Sequence, residues 1–204
     1  RDRSEVLAGI SHDLRTPLTR LRLEAEMSVT DEAAREAVVA DIEQMEAIIS
    51  QFMDYARAEQ GEAVVSTDLG ALLSSLAERQ HCLGHPLQAD IPDHLPEIQV
   101  RPKALTRALT NLIDNAWKYG GSEITLSASI HPGWLRLEIG DNGPGIPEGE
   151  IERLKRPFTR RENARTNASG TGLGLAIVER VARTHGGRLE LLPNAKGGLL
   201  ARLS

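Results

Sequence analysis

A histidine followed at once by an aspartate stands in the stretch SHDLRTPL, with Pro17 five residues beyond His12. A neutral imidazole, with an ordinary pKa of ~6.5, can attack phosphorus near neutrality. Asp13 can accept the other ring N–H, fix the tautomer and take up developing charge. Thr16 lies four residues past His12, on the same helical face, where its hydroxyl can position a water. Pro17 has no N–H and its ring crowds the carbonyl four residues earlier, so the helix is expected to bend or loosen beside His12. A purely structural helix would lose about 3 kcal/mol to such a residue with no return.

Three further stretches could hold a nucleotide. NLIDNAWKYG puts Asn111, Asn115 and Lys118 at near-helical spacing, roughly along one face, with Tyr119 beside them. Amide oxygens can coordinate Mg²⁺ without competing with phosphates for charge, and Lys118 adds a cation towards the phosphates. DNGPGIP ends a strand with Asp141, followed by Gly143 and Gly145. A buried carboxylate there can accept from an adenine amino group, and the glycines let backbone approach a ligand closely. GTGLGLAIV places Gly170, Thr171, Gly172 and Gly174 where a loop enters a helix, and N–H groups at a helix start favour phosphate. The Gly-Lys-Ser/Thr ending of a P-loop is missing.

Positioning these groups requires two kinds of architecture. Residues 4 to 28 read as a helix with Val6, Ile10, Leu14, Leu18, Leu21 and Ala25 on one face. Thr30 is expected to cap a second helix, with Asp31 and Glu32 in its first turn, carrying Val38, Ile42, Met45, Ile49, Phe52 and Ala56 and stopped by Gly61. One hairpin cannot hide two apolar seams well, so two hairpins pairing into a four-helix bundle is the expected solution, the alternative being a monomeric hairpin docked on the rest of the chain. From about Thr67 the pattern changes. Helices are expected from Asp68, from Pro102 and near Glu148–Leu154, with another over 172–185. Strands are expected at EIQV, SEITLSASI, GWLRLEIG, RLELLP and GGLLARL. Interleaving without regular βαβ alternation predicts an α+β sandwich, with helices on one face of a mixed sheet. The best division lies between Gly61 and Thr67, giving a helical domain over 1–62 and a second domain over 63–204.

The 204 residues carry 24 basic and 29 acidic side chains, a net charge of −5, which argues against a dedicated nucleic-acid binder. The single cysteine, Cys82, allows no internal disulfide and suits a reducing compartment. The spacing of His81, Cys82, His85 and His94 matches no common structural zinc site. No apolar run reaches the length that spans a bilayer. The opening RDRSEVLAGI is already helical without a start signal, so a longer chain, with something lost upstream, is expected.

SHDLRTPL closely resembles the phosphoacceptor box of sensor histidine kinases. The other three stretches look like the N, G1 and G2 boxes of the ATP-binding fold shared by histidine kinases, gyrase, Hsp90 and MutL. The resemblance covers nearly the whole chain, and the first box and ENARTNASGTGLGLAIV are especially similar to those of an osmosensor of this family. It implies the cytoplasmic core of an inner-membrane two-component sensor, reached by membrane only through the missing upstream segment. His12 is then the phosphoacceptor, Asp13 its acid/base partner, and Thr16 the position used in dephosphorylating the response regulator. Asn111 and Asn115 hold Mg²⁺, Lys118 and Tyr119 meet the phosphates of ATP, Asp141 reads adenine, and 145–170 forms a mobile lid. ATPases of the wider fold carry a glutamate where this chain has Asn111, and an amide cannot act as that base, which favours kinase over hydrolase. The expected partners are a second copy of the chain and the receiver domain of a response regulator. One departure stands out: the family usually has two phenylalanines before the lid, and RLKRPFTR keeps Phe158 but has Lys155 at the other place, amid Arg156, Arg160, Arg161 and Arg165. The alternatives are a phosphatase-biased enzyme and a nucleotide-binding dimeric scaffold without phosphotransfer.

Overall fold

The computed structural model describes residues 2–57, 62–159, 171–195 and 197–204; for 2–10, 12 and 54–57 it describes the backbone alone. Two long helices open the chain, α1 (Asp2–Ser28) and α2 (Glu32–Arg57). The second is capped by Asp31, whose Oδ1 accepts the Ala34 N–H at 2.8 Å, and not by Thr30. A carboxylate at that place both satisfies an orphan donor and opposes the dipole, so the helix starts one residue later than expected. α1 runs continuously through Pro17. The expected loosening therefore does not interrupt it; a single missing donor leaves the flanking turns able to carry the helix. The stop expected at Gly61 lies outside the described residues.

The helices pair antiparallel, with Arg22 Nη1 3.4 Å from Glu43 Oε1. Between them Leu18, Ala25, Ile42 and Met53 are buried. Among the described residues the apolar stripes are only partly covered: Leu14 and Leu21 on α1, and Val38, Met45 and Phe52 on α2, remain exposed. Both exposed sets recur every seven residues, the spacing of a helix–helix seam.

The rest of the chain is an α+β sandwich. A five-stranded sheet runs in the order β2 (Gln88–Asp90), β4 (Ile124–His131), β5 (Trp134–Asp141), β7 (Leu199–Leu203), β6 (Leu189–Pro193). β2 pairs parallel with β4, and the other neighbours are antiparallel. Helices α3 (Leu69–Cys82), α4 (Pro102–Tyr119) and α6 (Gly174–Thr184) cover the sheet face that presents Ile124, Leu126, Leu137 and Ile139. The short α5 (Glu148–Leu154) follows β5. Two strands were not foreseen. β1 (Val65–Asp68) pairs antiparallel with β3 (Glu97–Val100), and β2 hides in the Pro- and His-rich stretch. All three residues of β2 are exposed, so no apolar alternation marks it. Asp68 caps α3 as expected, its Oδ1 taking the Ala71 N–H at 2.9 Å.

Pro102 occupies the first turn of α4, and Glu62 completes the cap from outside the helix. Its carboxylate accepts the Lys103 N–H at 2.7 Å and the Ala104 N–H at 2.9 Å. Arg101 donates to the Glu62 and Thr184 carbonyls, while its own N–H meets His185 Nε2 at 3.0 Å. The segment leaving the hairpin is thus tied to the start of the helix that carries both asparagines. Glu62→Ala should lower stability by about 1–2 kcal/mol, or roughly 3–6 °C in Tm. Thermal denaturation checks this, and an unchanged midpoint would mean the cap contributes nothing.

Candidate active site

α4 is strongly two-faced. Leu105, Ala108, Leu109, Leu112, Ile113 and Ala116 are buried against the sheet and α6. Asn111, Asn115 and Lys118 fall on the flank of that stripe and open onto a cavity of about 280 Å³. Asn111 Nδ2 donates to the Arg107 carbonyl at 3.0 Å, which turns Oδ1 outward. Across the cavity stands the first turn of α6: a Cβ placed on Gly174 would lie 3.2 Å from Asn111 Oδ1 and 3.4 Å from Asn115 Nδ2. The start of α6 therefore packs closely against both side-chain amides.

Asp141 ends β5, is buried at 6% exposure and lines the same cavity. Its Oδ1 accepts two backbone N–H groups, from Gly143 at 2.9 Å and Leu199 at 3.1 Å. Among the described residues Oδ2 has no hydrogen-bond partner. An acceptor without a partner on a residue that lines a cavity can take a donor from a ligand. The end of α4 presses directly on this strand end: a Cβ on Gly143 would lie 2.5 Å from the Gly120 backbone. Only glycine permits that approach.

The cavity gathers Asn111, Asn115, Lys118, Tyr119, Asp141 and Gly145 with Thr171, Gly172 and Gly174. Gly143 sits behind Asp141 and does not line it. Gly170 lies outside the described residues, as do Arg160, Arg161 and Arg165 of the expected lid. Lys155 Nζ pairs with Glu152 at 3.0 Å, and Phe158 is exposed with a left-handed φ of 62°. Asp114, at the rim, has its carboxyl pushed up by partial burial, against the opposing pull of His85, Lys118 and Arg79. His85 stacks on Trp117. Among the described residues no group of three or more His, Cys, Asp or Glu side chains could hold a metal.

His12 lies on α1, and its side chain is outside the described atoms; Asp13 and Thr16 are exposed on the same helix. The sequence reading missed Gln51. This α2 side chain lines the cavity and accepts a hydrogen bond from Thr171 Oγ1, which in turn accepts the Leu173 N–H at 3.2 Å. A lone glutamine among apolar helix positions carries no signal of this. The register of the hairpin gives its height. Gln51 lies eight residues beyond Glu43, and Leu14 eight residues before its partner Arg22, so Gln51 and Leu14 stand level. Leu14 belongs to SHDLRTPL, and His12 is two residues away, roughly 3 Å along the axis.

The neutral oxygens, the cation, the backbone donors at a helix start and the buried carboxylate fit a magnesium nucleotide. Fold and cavity thus define an ATP-binding sandwich joined to a helical hairpin. The family model for the histidine kinase-, DNA gyrase B-, and HSP90-like ATPase matches residues 100–203, and that for the His Kinase A (phospho-acceptor) domain matches residues 2–61. The chain belongs to the histidine kinase-, DNA gyrase B-, and HSP90-like ATPase family, in its protein histidine kinase branch. It is 36% identical over 204 residues to the sensor histidine kinase GtrS of Pseudomonas aeruginosa, covering 99% of this chain and 41% of that protein. Full-length ShkA in complex with AMPPNP superposes with a TM-score of 0.77 at 26% identity, covering 97% of this chain and 44% of that one. The histidine kinase domain of the E. coli osmosensor EnvZ matches with a TM-score of 0.55 and 34% identity, over 71% of this chain and 89% of that one. The chain spans less than half the length of the curated relatives it matches. Among the described residues no helix is long and apolar enough to cross a membrane.

Proposed function

We propose that the chain autophosphorylates on His12 from ATP and passes the phosphoryl group to an aspartate of a response regulator receiver domain. The observation that carries this is the level match of the hairpin and the cavity: Gln51 walls the nucleotide cavity one short step along the axis from His12. In the step, an imidazole nitrogen of His12 attacks the γ-phosphorus, the bond to the β-phosphate oxygen breaks, ADP leaves, and Asp13 takes the ring proton. Bound Mg-ATP supplies the phosphoryl group with its charge screened. Asn111 and Asn115 hold the metal, Lys118 and Tyr119 attract the phosphates, the start of α6 donates N–H groups, and Asp141 accepts from adenine. Asn111, an amide, cannot activate water, so ATP waits for the histidine.

The functional unit is a homodimer, supported by the exposed seven-residue seam of Leu14, Leu21, Val38, Met45 and Phe52. Its division into 1–62 for dimerisation and phosphotransfer and 63–204 for catalysis is supported by the change of architecture after α2. Thr16, exposed one turn from His12, serves regulator dephosphorylation. The likeness of its first box and lid to EnvZ supports the cytoplasmic portion of a membrane sensor. Incubation with γ-labelled ATP and Mg²⁺ tests the central claim. Acid-labile, alkali-stable label on the protein is expected; acid-stable label, or ATP binding with no label, would overturn it.

Pro17 removes one main-chain donor inside α1, so its turn opens more easily for successive partners of His12. Pro17→Ala should restore that donor and shift the ratio of autokinase to regulator phosphatase rates by several-fold. Unchanged rates for both would sink this role.

A further inference from the structure

The β6–β7 turn is the part of the sandwich that the site above leaves unexplained. We propose that Asn194, at the start of this turn, is a positioning residue that holds Asp141 for a 6-aminopurine and so sets the base selectivity of the cavity. The proposal rests on the reading that Asp141 meets the base.

The geometry is a swap of hydrogen bonds at a sheet end. The last rung between β5 and β7 joins Gly140 to Leu200. One residue further, the Leu199 N–H turns to the Asp141 side chain, Oδ1, at 3.1 Å. The Asp141 carbonyl is filled instead by Asn194 Nδ2 at 2.8 Å. Asn194 is itself set by the turn, donating its N–H to the Gly198 carbonyl at 3.1 Å and accepting the Gly197 N–H at 3.0 Å. Its amide therefore does two things. It satisfies a carbonyl that would otherwise compete for the Leu199 N–H, and it leaves that N–H to pin Oδ1. With Gly143 as the second donor on Oδ1, the carboxylate is held against rotation, and Oδ2 is left as the acceptor for the base in the cavity that Asp141 lines.

A fixed acceptor discriminates between purines. Adenine places an amino group where guanine places a carbonyl, so the same carboxylate attracts one and repels the other. A carboxylate free to turn would lose part of that contrast, and a guanine could push it aside.

Binding of ADP and GDP to the whole chain, measured by calorimetry with Mg²⁺, tests this. Asn194→Ala should weaken ADP by about tenfold while leaving GDP nearly unchanged, so the preference for ADP falls by about the same factor. Asn194→Asp keeps the size and the turn-forming tendency but sets a carboxylate against the Asp141 carbonyl. It should lose at least as much preference, and it decides the matter if the alanine chain fails to fold. Equal weakening of ADP and GDP, with the ratio preserved, would overturn the proposal and leave Asn194 a turn former only. Asp141→Asn is the separate control: if it keeps the wild-type preference for ADP, the reading of Asp141 fails, whatever Asn194 does.

Discussion

His12→Gln should take no acid-labile label from γ-labelled ATP while binding ATP as the wild type does. The reason is chemical. Glutamine keeps a polar side chain of similar reach but has no nucleophilic nitrogen, because its amide lone pair is delocalised. The nucleotide cavity is lined mainly by α4, α6 and the strand ends, with Gln51 of α2 at its wall, and residue 12 is not among its lining residues. Affinity for ATP should therefore hold while transfer falls below detection. Persistent label on the variant would move the acceptor elsewhere and break the central assignment. Mixing this variant with Asp141→Asn chains extends the test. Label on the Asp141→Asn chains in the mixture means that phosphoryl transfer crosses the dimer, and its absence means that each cavity serves its own helix.

Gly198→Ala should nearly abolish ATP binding and lower the melting temperature, although the position is far from every sequence box. Gly198 has a φ of +88°, and a Cβ there would lie 2.3 Å from the Asp141 carbonyl oxygen, 2.4 Å from its Oδ1 and 2.6 Å from the Gly143 nitrogen. All are backbone atoms or the buried Asp141 carboxylate, whose Oδ1 is pinned by two N–H groups, so no flexible side chain can yield. Left-handed backbone costs an L-residue about 1–2 kcal/mol, and overpacking adds about 1–3 kcal/mol. The expected drop is roughly 10 °C, with ATP affinity down by about a hundredfold as Asp141 is displaced. Gly133→Ala is the matched control. Gly133 has a φ of +83° in the β4–β5 turn with nothing within 4 Å of the added carbon, so only the backbone term applies and ATP binding should be unchanged. Equal loss of ATP binding in both variants would show that the Gly198 effect is general destabilisation and not displacement of Asp141.

The two variants also mark the line between what was legible in the chain and what was not. The histidine box, the two asparagines with Lys118, and Asp141 with its glycines could be read directly. Each is a run whose chemistry and spacing are local: one face of one helix, one strand end, one helix start. The helices α3 and α4 could be placed for the same reason, since Asp68 and Pro102 are start signals that act within one turn. The strands β4 and β5 announced themselves by alternation. The cap of α2 was misplaced by one residue because Thr30 and Asp31 are both good caps in isolation. β2 was missed because three exposed residues on a sheet edge carry no pattern.

The sequence by itself determined the class of ligand and the two architectures, and it supplied the proposed nucleophile, because those depend on residue type and on periods of two and three to four. Only the tertiary structure decided which groups share the cavity. Gln51 reaches it because the antiparallel register of the hairpin sets its height. Gly198 and Asn194 do not line it but brace Asp141 from behind, because β7 returns beside β5 and delivers a turn 53 and more residues away in the chain. Such contacts depend on where two distant segments meet, and no local spacing encodes that meeting.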